Sequence, residues 1–178
     1  LLLSRTESSL SDRLDQPALL AALAGAWADA GNVQRALVLA QRLVAGGNVD
    51  TEDRLLYAGV LLRAHQDAEL AAVLRQLQAL TMTPDQLSRY NQLRTGYTLR
   101  QVDALRELGN LEGAYDILAP LLAQQPQDPQ VLSALARLYS SAGDQGQALA
   151  IYRQVLQRQP ADLDTLVPEN PMSVDRLQ

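Results

Sequence analysis

His65 is the only histidine in the chain, and there is no cysteine. Any imidazole-based triad or metal cluster would therefore rest on one residue, and that residue falls in a turn between two helical patterns. An exposed turn substitution is the better reading of it. Paired carboxylates occur at Asp12/Asp15 and Asp162/Asp164, at the edges of elements rather than in a run that could wall a cleft. Caps and solvated turns explain them, whereas an acid–base pair needs a site that pushes two pKa values apart. Gly46-Gly47 is followed by Asn48 and not by lysine, so it reads as a helix stop rather than a phosphate loop. No catalytic, cofactor-binding or metal-ligating set is expected. Among the rings, Trp27, Tyr139 and Tyr152 fall at repeated core positions. Tyr90 and Tyr97, seven residues apart, share one side of a helix and are candidates either for packing or for contact with a glycan.

These residues have to be positioned by helices. The stretch Pro129 to Asp162 reads as two amphipathic helices meeting at Ala142-Gly143-Asp144. Leu132, Leu135, Ala136 and Tyr139 give the first an apolar side, and Ala148, Tyr152, Val155 and Leu156 give the second one. Small Ala136 and Ala148 allow the two backbones to approach, and Pro160 stops the second helix. The glycine recurs 34 residues earlier at Gly109, and again at Gly31, with Trp27 in the place of Tyr139. Between them His65 takes the glycine's place. The steps Gly31 to His65, His65 to Gly109 and Gly109 to Gly143 are 34, 44 and 34 residues.

Four units follow: 17–50, 51–84, 85–128 with ten extra residues, and 129–162, preceded by 1–16 and followed by a loose tail 163–178. The segment 1–16 is expected to be the end of a preceding array, although its serines weaken the helix signal. About three such units suffice for a stable stack. Thr83-Pro84-Asp85-Gln86 is the clearest helix start, with Gln86 where a capping-box partner belongs. From there to Leu108 only Gly96 interrupts, so the extra residues are assigned to one helix of about 24 residues with a stripe from Leu87 through Tyr90, Tyr97, Gln101, Ala104 and Leu105 to Leu108.

The period and the pattern L-x-x-L-A-x-x-Y-x-x-x-G-x-x-x-x-A-x-x-x-Y, ended by Pro160, resemble the tetratricopeptide repeat. The resemblance implies an all-α fold, a right-handed superhelix (α-solenoid) whose concave side is lined by the first helix of each unit. Positions there include Leu55 and Leu99, and the polar candidates Arg63, Asp103, Arg106, Glu107, Gln130 and Arg137. Members of the family that capture the C-terminal carboxylate of chaperones carry lysine and asparagine at such positions. This chain does not: all fifteen of its basic residues are arginine.

Composition narrows the classes further. With 47% apolar and 20% charged residues, the chain reads as one domain or one piece of a longer solenoid, and its formal charge of −5 without a basic stripe argues against nucleic acid. No run of about 18 apolar residues is present to span a bilayer. The start, Leu1-Leu2-Leu3-Ser4-Arg5, has neither an initiator methionine nor a basic leader and reads as the interior of a longer protein.

The Leu/Ala/Gln/Arg-rich repeats, above all Gly113 to Pro160, are similar to those of the cellulose synthase operon protein C family of bacterial exopolysaccharide exporters. Its members join a periplasmic repeat solenoid to an outer-membrane barrel. That resemblance implies a periplasmic, non-catalytic scaffold within a cellulose synthase and secretion complex, with protein partners. A module that contacts the glucan chain directly is the alternative, and a cytoplasmic repeat adaptor the weaker third.

Overall fold

The computed structural model describes residues 2–9 and 16–158. The described residues form nine α-helices and no strand: α1 (Leu2–Ser9), α2 (Pro17–Asp29), α3 (Val33–Val44), α4 (Thr51–Arg63), α5 (Asp67–Gln78), α6 (Pro84–Glu107), α7 (Leu111–Gln124), α8 (Pro129–Ser141) and α9 (Gln145–Arg158). In chain order they follow one another as helix–turn–helix units, α2–α3, α4–α5, α6–α7 and α8–α9. Asp12, Asp15, Pro160, Asp162, Asp164 and the segment 163–178 lie outside the described residues.

The turn inside each unit repeats one geometry. Gly31, His65, Gly109 and Gly143 have φ of 84°, 59°, 79° and 85°, all left-handed. At each, the hinge N–H donates three residues back: Gly31 to Ala28, His65 to Leu62, Gly109 to Arg106, Gly143 to Ser140. The following N–H donates five residues back: Asn32 to Trp27, Gln66 to Leu61, Asn110 to Leu105, Asp144 to Tyr139. These bonds satisfy the carbonyls that a helix end leaves unpaired. The residue after the hinge then starts the next helix. Asn32 accepts from the Arg35 N–H at 3.1 Å, Asn110 from Gly113 at 3.0 Å and Asp144 from Gln147 at 3.1 Å. Gln66, one methylene longer, makes no such cap. The second unit thus keeps the turn with a weaker residue at both of its key positions.

The first helices are started by Asp50, whose Oδ1 accepts from the Asp53 N–H at 2.8 Å, and by Asp128, which accepts from Gln130 at 2.8 Å. For α6 the Thr83 hydroxyl accepts from the Gln86 N–H at 3.2 Å, and Gln86 Oε1 accepts from the Thr83 N–H at 3.0 Å. This is the reciprocal cap expected from the sequence. The ten extra residues lie inside α6, which also starts one residue early and so has 24 residues, eleven more than the 13 of α2, α4 and α8.

The chain forms two compact units, Leu1–Arg100 and Gln101–Gln178. In the first, Leu39, Leu61, Leu70 and Leu77 are wholly enclosed, together with Ala24, Ala36 and Ala58. In the second, Val102, Ala114, Leu118, Val131, Ala134, Ala136 and Ala148 are enclosed. The positions one repeat apart, Ala36, Leu70, Ala114 and Ala148, are at most 2% exposed, as close helix crossing requires.

Three expectations about burial are corrected. The stripe assigned to α6 is only partly its buried side: Tyr90 is buried and Tyr97 packs on the core, but Leu87 and Leu108 are exposed, and Thr95, Leu99 and Val102, outside the stripe, are buried. At about 100° per residue, Thr95, Leu99 and Val102 lie 120–180° round the helix from Tyr90. The helix therefore buries more than one side. Leu55 and Leu99, placed on the first-helix groove, are core residues. Tyr152 and Leu156, placed in the core, are exposed along with Leu149. In α3, a helix that packs on α4, the positions matching Leu149 and Tyr152 are Leu37 and Ala40, both buried. Among the described residues no helix follows α9 to do the same.

Candidate functional site

The polar candidates fall on the first helices, and four of them, Asp103, Arg106, Glu107 and Arg137, are engaged with one another. In the second unit, Asp103 on α6 is the centre. Its Oδ1 accepts from Arg137 Nε on α8 at 3.0 Å and from Arg106 Nε at 3.2 Å, and its Oδ2 accepts from Arg137 Nη2 at 2.9 Å. The Arg137 fork is thus bidentate, the stronger arrangement for a guanidinium on a carboxylate. Arg106 also donates to the Ser141 hydroxyl at 3.3 Å and lies 3.7 Å from Glu107. Asp103, Arg106, Glu107 and Arg137 therefore form one charge-balanced cluster, with Ser141 at its edge. Gln130 is exposed at the start of α8, two turns before Arg137, and its backbone N–H donates to Asp128.

Arg63 belongs to the first unit, where its Nη1 lies 3.5 Å from Asp29 Oδ1 with both side chains largely exposed. The same unit holds a denser set. Glu52 on α4 accepts from Arg89 Nη2 at 2.6 Å to both oxygens and from Gln86 Nε2 at 2.9 Å. Arg89 Nε lies 3.3 Å from Asp85. The Arg89 bond first, and then the Gln86 bond, hold the Glu52 carboxyl below the usual glutamate value, against the smaller opposing effect of burial. Arg100 donates to both oxygens of Asp67, at 2.8 and 3.0 Å, and its Nη1 donates to His65 Nδ1. A guanidinium has no acceptor, so His65 accepts. Arg100 thereby ties the glycine-less hinge to the next first helix.

The sequence marked Gln86 only as a helix cap; the interhelical roles of Glu52, Gln86, Arg89, Asp67 and Arg100 were not singled out from it. The signal that marks them is spacing: Asp29/Arg63 and Asp103/Arg137 stand 34 residues apart, Asp67/Arg100 33, and Glu52/Arg89 37. Each is close to one repeat: three pairs bridge consecutive first helices, and Asp67/Arg100 joins the second helix α5 to the first helix α6.

Of the two ring candidates, Tyr90 is 5% exposed and belongs to the apolar core, so it offers no face to a glycan. Tyr97 is half-buried against the same core. The exposed tyrosines are Tyr115 and Tyr152, on second helices. Among the described residues no group of three or more histidine, cysteine, aspartate or glutamate side chains could hold a metal ion, and no helix is long and apolar enough to cross a membrane.

No family model matches the chain. Cellulose synthase operon protein C of Xanthomonas axonopodis pv. citri (strain 306) is 73% identical over 154 residues, 86% of this chain and 10% of that protein. The protein of the same name from Pseudomonas fluorescens (strain SBW25) is 37% identical over 147 residues, 82% of this chain and 12% of that one. The chain thus spans about a tenth of the length of the curated relatives it matches. Among solved structures, the MamA protein superposes with a TM-score of 0.52 at 12% identity, over 95% of this chain and 87% of that one, a likeness of fold. The fold is that of an all-α tetratricopeptide-repeat array, and the chain is similar, at 73% identity, to a segment of cellulose synthase operon protein C.

Proposed function

We propose that this region is a non-catalytic scaffold in the synthesis and export of bacterial cellulose. It would work in the periplasm, linking the synthase to the outer-membrane exit through protein–protein contacts. The observation that carries the reading is the cluster of Asp103, Arg106, Glu107 and Arg137. It offers guanidinium and carboxylate groups in fixed positions on neighbouring first helices. Charge-assisted hydrogen bonds of this kind orient a polar peptide well, whereas sugar stacking needs open ring faces. The names of the relatives supply the cellulose context. Half-buried Tyr97 favours the second reading, a module that touches the glucan chain itself.

Calorimetric titration of the chain with cellohexaose separates the two. The scaffold reading expects no saturable binding. Tight binding lost in Tyr97→Ala would replace it with the glycan reading. Excision of the corresponding segment from a cellulose-secreting relative supplies the second arm. Secretion is expected to fail while isolated membranes still polymerise glucan; unchanged secretion would sink the scaffold reading.

A further inference from the structure

One buried carboxylate takes no part in the sites above. Glu7 is 7% exposed and is the one buried side chain among those described in α1. Of the other described side chains of that helix Leu3 is half-buried and the rest are exposed, with Leu2 81% exposed, and none of them joins the apolar cluster of the first unit. Glu7 Oε2 accepts from the Trp27 indole Nε1–H at 2.9 Å and from Arg35 Nε at 3.2 Å, while Arg35 Nη2 pairs with Oε1. Three donors, carried by α2 and α3, converge on a single carboxylate.

The place of α1 in the repeat gives this cluster its meaning. Subtracting one period of 34 from Ala36 gives Leu2, so α1 stands in the register of a second helix preceding the first unit. Glu7 then corresponds to Gln41 of α3, whose side chain hydrogen-bonds Tyr57 on the following first helix. In both cases a second-helix side chain reaches an aromatic on the next first helix. Only at Glu7 is the contact ionic.

We propose that Trp27 and Arg35 form a carboxylate-recognition site, and that Glu7 filling it selects α1 as the neighbour of the first repeat. Indole and guanidinium supply donors and no acceptor, so the site is completed by an anionic oxygen pair. Apolar packing discriminates poorly between amphipathic helices; a buried polar partner fixes which helix docks and in what register.

Trp27 is the chain's single tryptophan, so its indole N–H gives one resonance in a ¹⁵N spectrum of the full chain. Glu7→Ala is expected to shift that resonance and to abolish amide protection in α1 while α2 and α3 keep theirs. Sodium formate should return the resonance towards its native position, and sodium chloride at the same ionic strength should not. Glu7→Gln keeps the shape and an acceptor without the charge, and should retain only part of the α1 protection. Formate should have no effect in Glu7→Ala combined with Arg35→Ala. An unmoved resonance in Glu7→Ala, equal responses to formate and chloride, or native behaviour of Glu7→Gln would each overturn the proposal.

Discussion

Gln86 donates its Nε2–H to the Glu52 carboxylate at 2.9 Å while its Oε1 accepts from the Thr83 N–H. One amide therefore caps α6 and ties that helix to α4, 34 residues back. Glutamate is equally suited to the capping role but not to the second, because it would bring a carboxylate against Glu52. Gln86→Glu is expected to be less stable in urea than Gln86→Ala, which loses the cap, at about 1 kcal/mol, without adding repulsion. Equal or greater stability of Gln86→Glu would mean that the Glu52 contact contributes nothing.

Acid should weaken the same joint. Hydrogen bonds from Arg89 and Gln86 lower the Glu52 pKa below its ordinary value of 4.5, so the unfolded chain takes up that proton at higher pH than the folded one. The contribution is complete above 4.5 and is lost as pH falls through the folded value. Urea midpoints of the native chain should therefore fall more steeply below that pH than those of Glu52→Gln. Parallel curves would show that Glu52 is not linked to folding.

At the second hinge the backbone, not the side chain, sets the requirement. His65 has φ of 59°, where glycine is at ease and a β-branched residue is not. His65→Gly relieves that cost and gives up the hydrogen bond from Arg100, so its stability should stay within about 1 kcal/mol of native. His65→Val should cost about 1–2 kcal/mol more than His65→Gly. Equal melting of the two variants would show that the hinge leaves the left-handed region when glycine is absent.

That hinge illustrates what was legible in the sequence. Four turns at the repeat period were readable because glycine punctuates three of them, and the register carried His65 along as the fourth. Helix starts were readable where a short side chain can reach the N–H two or three residues on, as at Asp50, Thr83 and Asp128. The orientation of α6 was not. A stripe assumes that a helix has one buried side, and α6 buries Tyr90 on one side and Leu99 and Val102 on another. The candidate surface was half legible for a related reason. Asp103, Arg106, Glu107 and Arg137 were placed on the first helices by register alone. Their mutual pairing depends on the separation of neighbouring helices, which no local pattern encodes.

The pairing of Asp103 with Arg137 should be measurable as a coupling energy. Two bonds of 3.0 and 2.9 Å link them, and the two side chains are 31% and 37% exposed. Asp29 and Arg63 approach only to 3.5 Å, through one oxygen, with side chains 81% and 53% exposed. Exposed pairs couple by about 0.2–1 kcal/mol, and solvent screening together with the side-chain entropy of ordering favours the low end for the looser pair. A double-mutant cycle on Asp103→Ala and Arg137→Ala, followed by urea unfolding, should give a coupling near the top of that range. The same cycle on Asp29→Ala and Arg63→Ala should give one near zero. Arg106 complicates the first cycle, since it stays beside the empty Asp103 position and is left with Glu107 and Ser141. Repeating the cycle in an Arg106→Ala background removes that path, and the Asp103–Arg137 coupling should persist there. Its disappearance would locate the stabilisation in the three-residue cluster rather than in the bidentate pair.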